Sequence, residues 1–497
     1  MIMYILVIDE GTTSTRVNLI DESGGIVAGA GKPFRQYYPC PGWVEHDAGE
    51  IWHATLACLK EVLERGKVKP KEISAIGLTN QRETVVLWDK NTGLPIGPAI
   101  VWQCRRTADA CKNLARDKKT VKLIQAKTGL LPDAYFSATK IQWYLDQNRS
   151  WREKASRGEI LSGTIDSWLI WNLTGGMRHL TDHTNASRTL LFNIHKLAWD
   201  GELLEFFGIP PAMLPESRPS AADFGSTKNI PGLPDGIPIT GAVGDQQGAF
   251  FGQMCFEPGE AKNTYGTGCF LLLNTGGKAI LSRHKLLTTI GFSLPGRLDY
   301  ALEGSVFIGG AVIQWLRDEL KIIGNAAETA HLAASLHDNE GVYLVPAFVG
   351  LGAPYWDAQA RGSIFGLTRG SGARHLARAA LESIAYQVRD VLVAMEEDAS
   401  IRLENLKVDG GAASNDFLLQ FQSDILNAAV LRPSSLETTS LGAAYLAGLG
   451  AKFWKDLETI KKLPRSMEEF KPATQREDVQ KWLAGWRKAV KRTLISP

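Results

Sequence analysis

Long apolar runs are missing from this chain of 497 residues, and nothing in it approaches the roughly 20 residues a membrane-crossing helix needs. Net charge is nearly absent as well. Its 55 Lys and Arg stand against 53 Asp and Glu, a formal +2, which supplies no field for nucleic acid or for a membrane surface. Cysteine is scarce, six residues with no C-x-x-C spacing, so neither a zinc site nor a disulfide framework is expected. No G-x-x-x-x-G-K-[ST] occurs, which excludes the P-loop nucleotidases. Asp223-Phe224-Gly225 spells the metal motif of protein kinases, but no H-R-D loop or Gly-rich nucleotide loop accompanies it. The opening apolar run has no basic lead-in and stops at Asp9 and Glu10, so it reads as a strand, not a secretory leader, and a cytoplasmic protein is expected.

What is present is globular: 44% hydrophobic and 22% charged residues, in a chain longer than the roughly 250–300 residues at which single cores stop growing, so two or more domains are expected. The run Tyr4-Ile5-Leu6-Val7-Ile8 predicts a buried strand that delivers Asp9 to its carboxyl edge, where α/β proteins place their chemistry. Gly11 and the hydroxyl residues Thr12, Thr13, Ser14 and Thr15 follow as a donor-rich loop suited to phosphate oxygens. The chain then returns as a strand at Val17 instead of entering a helix, the hairpin arrangement of the actin-like ATPases. A hydroxyl-rich turn in an ordinary β-meander fits this stretch equally. Farther on, Asp47 predicts a helix N-cap with Glu50 three residues later. Arg82 and Glu83 follow the strand Ile73–Leu78. Adjacent opposite charges at a strand end read locally as a surface turn with a weak ion pair; as a site, they would serve a hydroxylated substrate. With Trp102 at a strand end and Tyr135 in a turn, they could supply the hydrogen bonds and the apolar wall a small polyol needs, although each taken alone is more often structural.

The second half repeats the opening. The stretch from Ile237 to Phe250 predicts a strand that ends at Gly244, and Asp245 begins the turn into a helix, a place for a general base, a magnesium ligand or a plain N-cap. Ala261–Tyr265, the Gly266-Thr267-Gly268 loop and Cys269–Leu273 then restate strand, Gly/Thr loop, strand. The turn Asp409–Asn415, ahead of a helix, offers glycine backbone and helix amides to a nucleotide, or is a tight turn capped by Asn415. His183 reads as a satisfied loop histidine. The C-terminal helix carries Val479, Leu483, Trp486 and Val490 on one stripe and is expected to dock on its own domain.

Taken together, DEGTTSTR, PGWVEHD, TNQRET, VWQCRRT, TDHTNASRT, GDQQGA, KNTYGTGCF, VPAFVGLGAPYWD, GSIFGLTRG and DGGAASNDF resemble the sugar and polyol kinases, in particular the glycerol kinases, over essentially the whole chain. The resemblance implies an α/β protein of two actin-like (ribonuclease H-like) domains, each a mixed sheet flanked by helices, with a central cleft. Residues 1–247 would bind the polyol and residues 248–497 the nucleotide. It also implies glycerol as substrate, held by Arg82, Glu83, Tyr135, Asp245 and Gln246 against Trp102 and Phe270, with Asp245 as catalytic base. ATP would lie on Thr12, Thr13, Ser14, Arg16, Thr267, Gly310, Gln314, Gly411 and Asn415, with Mg2+ near Asp9 and Asp245. A homo-oligomer, dimer or higher, is the expected assembly, with no nucleic acid and no membrane insertion. Glu10 stands where many relatives carry Gln, an extra carboxylate beside the phosphate loop. Two other readings stay open: a kinase for another polyol or ketose, and an ATP-driven conformational machine of the actin or chaperone type, on which Arg82, Glu83, Trp102 and Tyr135 would be unexplained.

Overall fold

The structure, a computed structural model, describes residues 3–494. The opening run forms the strand Tyr4–Glu10, and its alternate residues face two cores: Leu6 and Ile8 lie against the helices Ala48–Gly66 and Ile165–Leu173, while Ile5 and Val7 point the other way. A strand covered on both sides has to be apolar on both faces, which is why this run does not alternate. The chain returns antiparallel as Ser14–Ile20, with Asp9 opposite Arg16 and Glu10 opposite Thr15, and Ile26–Pro33 completes a meander. Ile73–Asn80 joins parallel on the other side of the first strand, and Ile239–Gly244 joins parallel beyond it.

The second sheet uses the same plan. Glu260–Tyr265 and Cys269–Gly276 form an antiparallel hairpin continued by Arg297–Val306 and, at the edge, Leu287–Leu294. Asn405–Asp409 and Ala429–Pro433 then add parallel on the far side, and Met467–Phe470 closes the other edge antiparallel. Apart from the two edge strands, order and direction match the first sheet, so the repeat legible in the sequence is a repeat of topology. The outer face of this sheet packs on the helices Ala373–Ala399 and Asp416–Leu426, and the C-terminal helix Arg476–Thr493 buries Val479, Leu483, Trp486 and Val490 in the same core.

Two helices fill the space between the sheets, Asp245–Gly252 and Thr438–Gly450, sharing an apolar core with Val7, Val243, Phe250, Leu272 and Ala301. They touch backbone to backbone. A Cβ on Gly442 would overlap the carbonyl of Gly248, and one on Gly252 would overlap that of Thr438. The expected division between residues 247 and 248 falls inside the first of these helices. At the other predicted helix start, Asp47 accepts from the N–H groups of Gly49 and Glu50 at 2.7 and 3.2 Å, but the Glu50 carboxylate takes the Tyr37 hydroxyl at 2.7 Å instead of returning to the cap. Among the described residues, no helix is long and apolar enough to cross a membrane.

Candidate active site

Because Tyr4–Glu10, Ile73–Asn80 and Ile239–Gly244 run parallel and end side by side, Asp9, the turn at Gln81–Thr84 and Asp245 arrive at one sheet edge. Asp245 opens its helix directly after the strand. Its Oδ1 accepts the Gln246 N–H at 2.7 Å and lies 3.4 Å from Arg82 Nε. Burial raises its pKa above the usual carboxylate range, against the pull of Arg82. Asp9 accepts from Ser440 Oγ at 2.8 Å, and burial pushes its pKa up to about 6, with Asp245 adding to the rise and Arg16 opposing it. Glu10, one residue along, points to the opposite face of the strand. It is fully buried and takes the Thr15 hydroxyl at 2.7 Å, and burial raises its pKa well above the ordinary value, against the pull of that hydrogen bond.

Arg82 and Glu83 overturn the local reading of a surface turn with a weak ion pair. They are 2% and 1% exposed, and their mutual contact is a distant 3.8 Å. Glu83 has φ 61°, a left-handed turn that lets successive side chains reach different partners. Arg82 sends Nη1 and Nη2 to the two oxygens of Glu303 at 2.6 and 3.1 Å, and Nη2 also reaches the Tyr135 hydroxyl at 3.2 Å. Glu83 accepts from Arg188 Nε at 2.6 Å, and Arg188 Nη2 returns to Glu303 at 2.9 Å. Burial alone would raise the Glu303 pKa, but Arg188 and Arg82 outweigh it and hold the carboxyl at about 2. The covering strand comes from the other lobe, which is why local sequence could not reveal the burial. Beside this network the Trp102 ring stands 5.5 Å from Tyr135 and 6.5 Å from Phe270, and its Nε1 donates to Thr12 Oγ1 at 3.0 Å. Gln246 accepts from Lys262 Nζ, which also donates to Thr264 Oγ1 at 2.9 Å. Lys262 is fully buried, and its pKa is lowered to about 8.

In the first glycine loop Gly11 N–H closes on the Ser14 carbonyl at 3.0 Å, and Thr13 and Arg16 are exposed. Arg16 pairs at 3.1 Å with Glu437, at the start of the helix Thr438–Gly450. The second loop is braced by the next helix. The N–H groups of Gly309 and Gly310 bond the Thr267 and Gly266 carbonyls at 2.8 Å each, leaving Thr267 exposed, and Gln314 is exposed one turn into the helix Ala311–Asp318. Gly410, at φ 86°, passes so close to Tyr265 that a Cβ would sit 2.6 Å from its carbonyl oxygen, whereas Gly411 faces open space. Asn415 is a working cap, accepting from Leu418 N–H at 3.0 Å and donating to Thr329 Oγ1 at 3.2 Å. His183 is buried, with Nδ1 at 2.9 Å from Ser293 Oγ, in keeping with the structural reading.

Residues 4–252 match the N-terminal domain, and residues 261–451 the C-terminal domain, of the FGGY family of carbohydrate kinases. The chain belongs to that family. Within it, the chain is 58% identical to a glycerol kinase of Caldanaerobacter subterraneus subsp. tengcongensis, over 99% of both chains. It is 57% identical to glycerol kinase 2 of Thermotoga maritima, again over 99% of each. The crystal structure of Plasmodium falciparum glycerol kinase with ADP superposes with a TM-score of 0.94 at 40% identity, covering 100% of this chain and 99% of that one. The fold is therefore the actin-like kinase fold, as the resemblance implied. Reading the FGGY motifs residue by residue missed Arg188, Lys262 and Glu303, and with them Gln247, whose Oε1 accepts from Arg82 Nη1 at 3.2 Å. Arg188 lies within TDHTNASRT and Lys262 within KNTYGTGCF. For Glu303 the available signal was a carboxylate directly after the apolar stretch Tyr300-Ala301-Leu302, whereas the polar strand Glu260–Tyr265 offered none for Lys262.

Proposed function

We propose that this FGGY kinase transfers the γ-phosphoryl group of ATP to glycerol, giving sn-glycerol 3-phosphate, with Asp245 as general base. The observation that carries the reading is the chain of contacts that runs from the Asp245 carboxylate to Arg82, from Arg82 to the Tyr135 hydroxyl, and from Tyr135 through the Trp102 ring to Phe270. Charged hydrogen-bonding groups on one side and aromatic rings on the other match the hydroxyl and C–H faces of a small polyol. Glu83 and Gln246 complete the polar set, with residues 1–247 supplying most of the polyol contacts and residues 248–497 the nucleotide contacts.

A primary alcohol is a poor nucleophile at neutral pH. Asp245 takes the proton of the terminal hydroxyl as its oxygen attacks the γ-phosphorus, the bond to the β-bridging oxygen breaks, and ADP leaves. A raised pKa suits this exchange, because a more basic carboxylate is a better acceptor. Thr12, Thr13, Ser14 and Thr267 offer loop donors to the phosphates, and Arg16 would exchange Glu437 for phosphate oxygen. Gly310, Gln314, Gly411 and Asn415 line the nucleotide's path. Asp9 and Asp245, two oxygen donors lying in each other's field, fit a hard cation such as Mg2+. Among the described residues no three His, Cys, Asp or Glu side chains gather to hold a metal on their own, so such an ion would draw its remaining ligands from phosphate and water. When bound, Mg2+ neutralises charge on the phosphate oxygens.

A coupled assay of ADP release tests the proposal. Saturable dependence on glycerol, with xylulose and gluconate poor substitutes, is the expected result. Preference for either of those two would favour the kinase of another polyol, and ADP release indifferent to glycerol would favour an ATP-driven machine. The proposal includes a cytoplasmic homo-oligomer, dimer or higher, which sedimentation equilibrium tests.

A further inference from the structure

Glu303 belongs to the second lobe, yet both of its oxygens end on first-lobe arginines. Strand register explains how. Leu272 is paired with Lys262 on one side and Glu303 on the other, so the carboxylate shares a face of the sheet with the Lys262 ammonium. The next row on that face is Thr264, Phe270 and Ser305. One row thus brings Phe270 to the aromatic wall, and the row beneath sends a carboxylate across the lobe boundary under Arg82.

A free arginine side chain samples many rotamers. Two N–H···O bonds to one fully buried carboxylate fix the plane of the guanidinium and the direction of its remaining donors. Here they leave Nε toward Asp245 at 3.4 Å and direct Nη2 to the Tyr135 hydroxyl at 3.2 Å. Arg188 reinforces the arrangement, bonding Glu83 and Glu303 while its guanidinium lies 5.5 Å from the Tyr135 ring.

We infer that Glu303 is a positioning residue that aims Arg82 at the polyol, so that the polyol pocket is complete only while the second lobe is seated on the first. The inference rests on the glycerol reading above. It makes polyol affinity a property of both lobes, although the groups that touch the polyol come mostly from one.

E303Q keeps the side chain's shape but replaces one acceptor oxygen with an NH2 facing the Arg82 fork. Wild type and E303Q are compared by ADP release with glycerol and ATP varied separately, alongside thermal unfolding. The expected result is a glycerol KM raised about tenfold or more, with the ATP KM within about twofold of wild type. A scaffold role alone would lower the melting temperature and move both KM values together, and that pattern overturns the inference, as does an unchanged glycerol KM. E303D keeps the buried charge but draws the carboxylate back from the Arg82 fork, and gives the same readout should E303Q fail to fold. A wild-type enzyme indifferent to glycerol refutes the activity reading and this inference with it, whereas a glycerol-dependent wild type with an unaffected E303Q refutes the inference alone.

Discussion

Replacing Asp245 with asparagine removes one proton acceptor and leaves the rest of the site standing. The carbonyl oxygen of the introduced amide can still accept the Gln246 N–H that Asp245 Oδ1 holds at 2.7 Å, and Arg82 keeps its two bonds to Glu303. Folding stability should therefore change by no more than about 1 kcal/mol. The chemistry should suffer far more. A positioned general base contributes about 10²–10⁴-fold, which is ~3–5 kcal/mol of barrier at about 1.4 kcal/mol per factor of ten. With glycerol and ATP saturating, coupled ADP release by D245N should fall by that factor while the melting temperature holds. The pH profile supplies a second readout. The base works only when deprotonated, so wild-type turnover should decline as pH falls through the raised Asp245 pKa, above the ordinary carboxylate range. D245N should lose that acid limb. A variant within about tenfold of the wild-type rate, or one retaining the same limb, would refute the assignment of Asp245 as the base.

Lys262→Met should lower kcat about tenfold, and the wild-type decline in rate as pH rises through about 8, where the buried ammonium loses its charge, should be absent from the variant; matching alkaline limbs would disprove the link. Glu10→Gln should leave both KM values within about twofold, because Glu10 is buried on the face of its strand opposite Asp9 and spends its carboxyl on the Thr15 hydroxyl, which a Gln amide oxygen can still accept; a substantial change in ATP KM would contradict that placement. Gly442→Ala should destabilise by about 1–3 kcal/mol in chemical denaturation, since its methyl group has nowhere to go but into the Gly248 carbonyl; a loss below about 0.5 kcal/mol would mean that the two helices separate freely.

The fold was largely legible because its signals are local. A run apolar on both faces marked the central strand, Asp47 and Asn415 marked helix starts, and two glycine-threonine loops between strands marked the doubled topology. The motifs also named Arg82, Tyr135, Trp102 and Phe270, which the structure links by successive contacts to Asp245. What the sequence hid was the company those residues keep. Arg82 and Glu83 are adjacent in the chain but divide their charges between Glu303 and Arg188, more than a hundred residues away. Residues this far apart in sequence meet only through the strand order of both sheets, and no window around residue 82 contains that order. The sequence left the role of Glu10 open for a related reason. Its neighbour Asp9 faces the inter-lobe core, and a strand's alternation turns the next side chain to the opposite face.

The glycine contact between the central helices also bears on how the molecule can move. Meshed side chains act like gear teeth and resist turning, but Gly248, Gly252 and Gly442 present bare main chain with nothing to disengage. Turning one helix on the other at this point unmeshes no side chains, whereas sliding it would break the surrounding Phe250, Phe251 and Ala443–Ala447 packing. Any turn of the lobes about residue 442 would therefore leave Asp245, at the head of the facing helix, nearly in place.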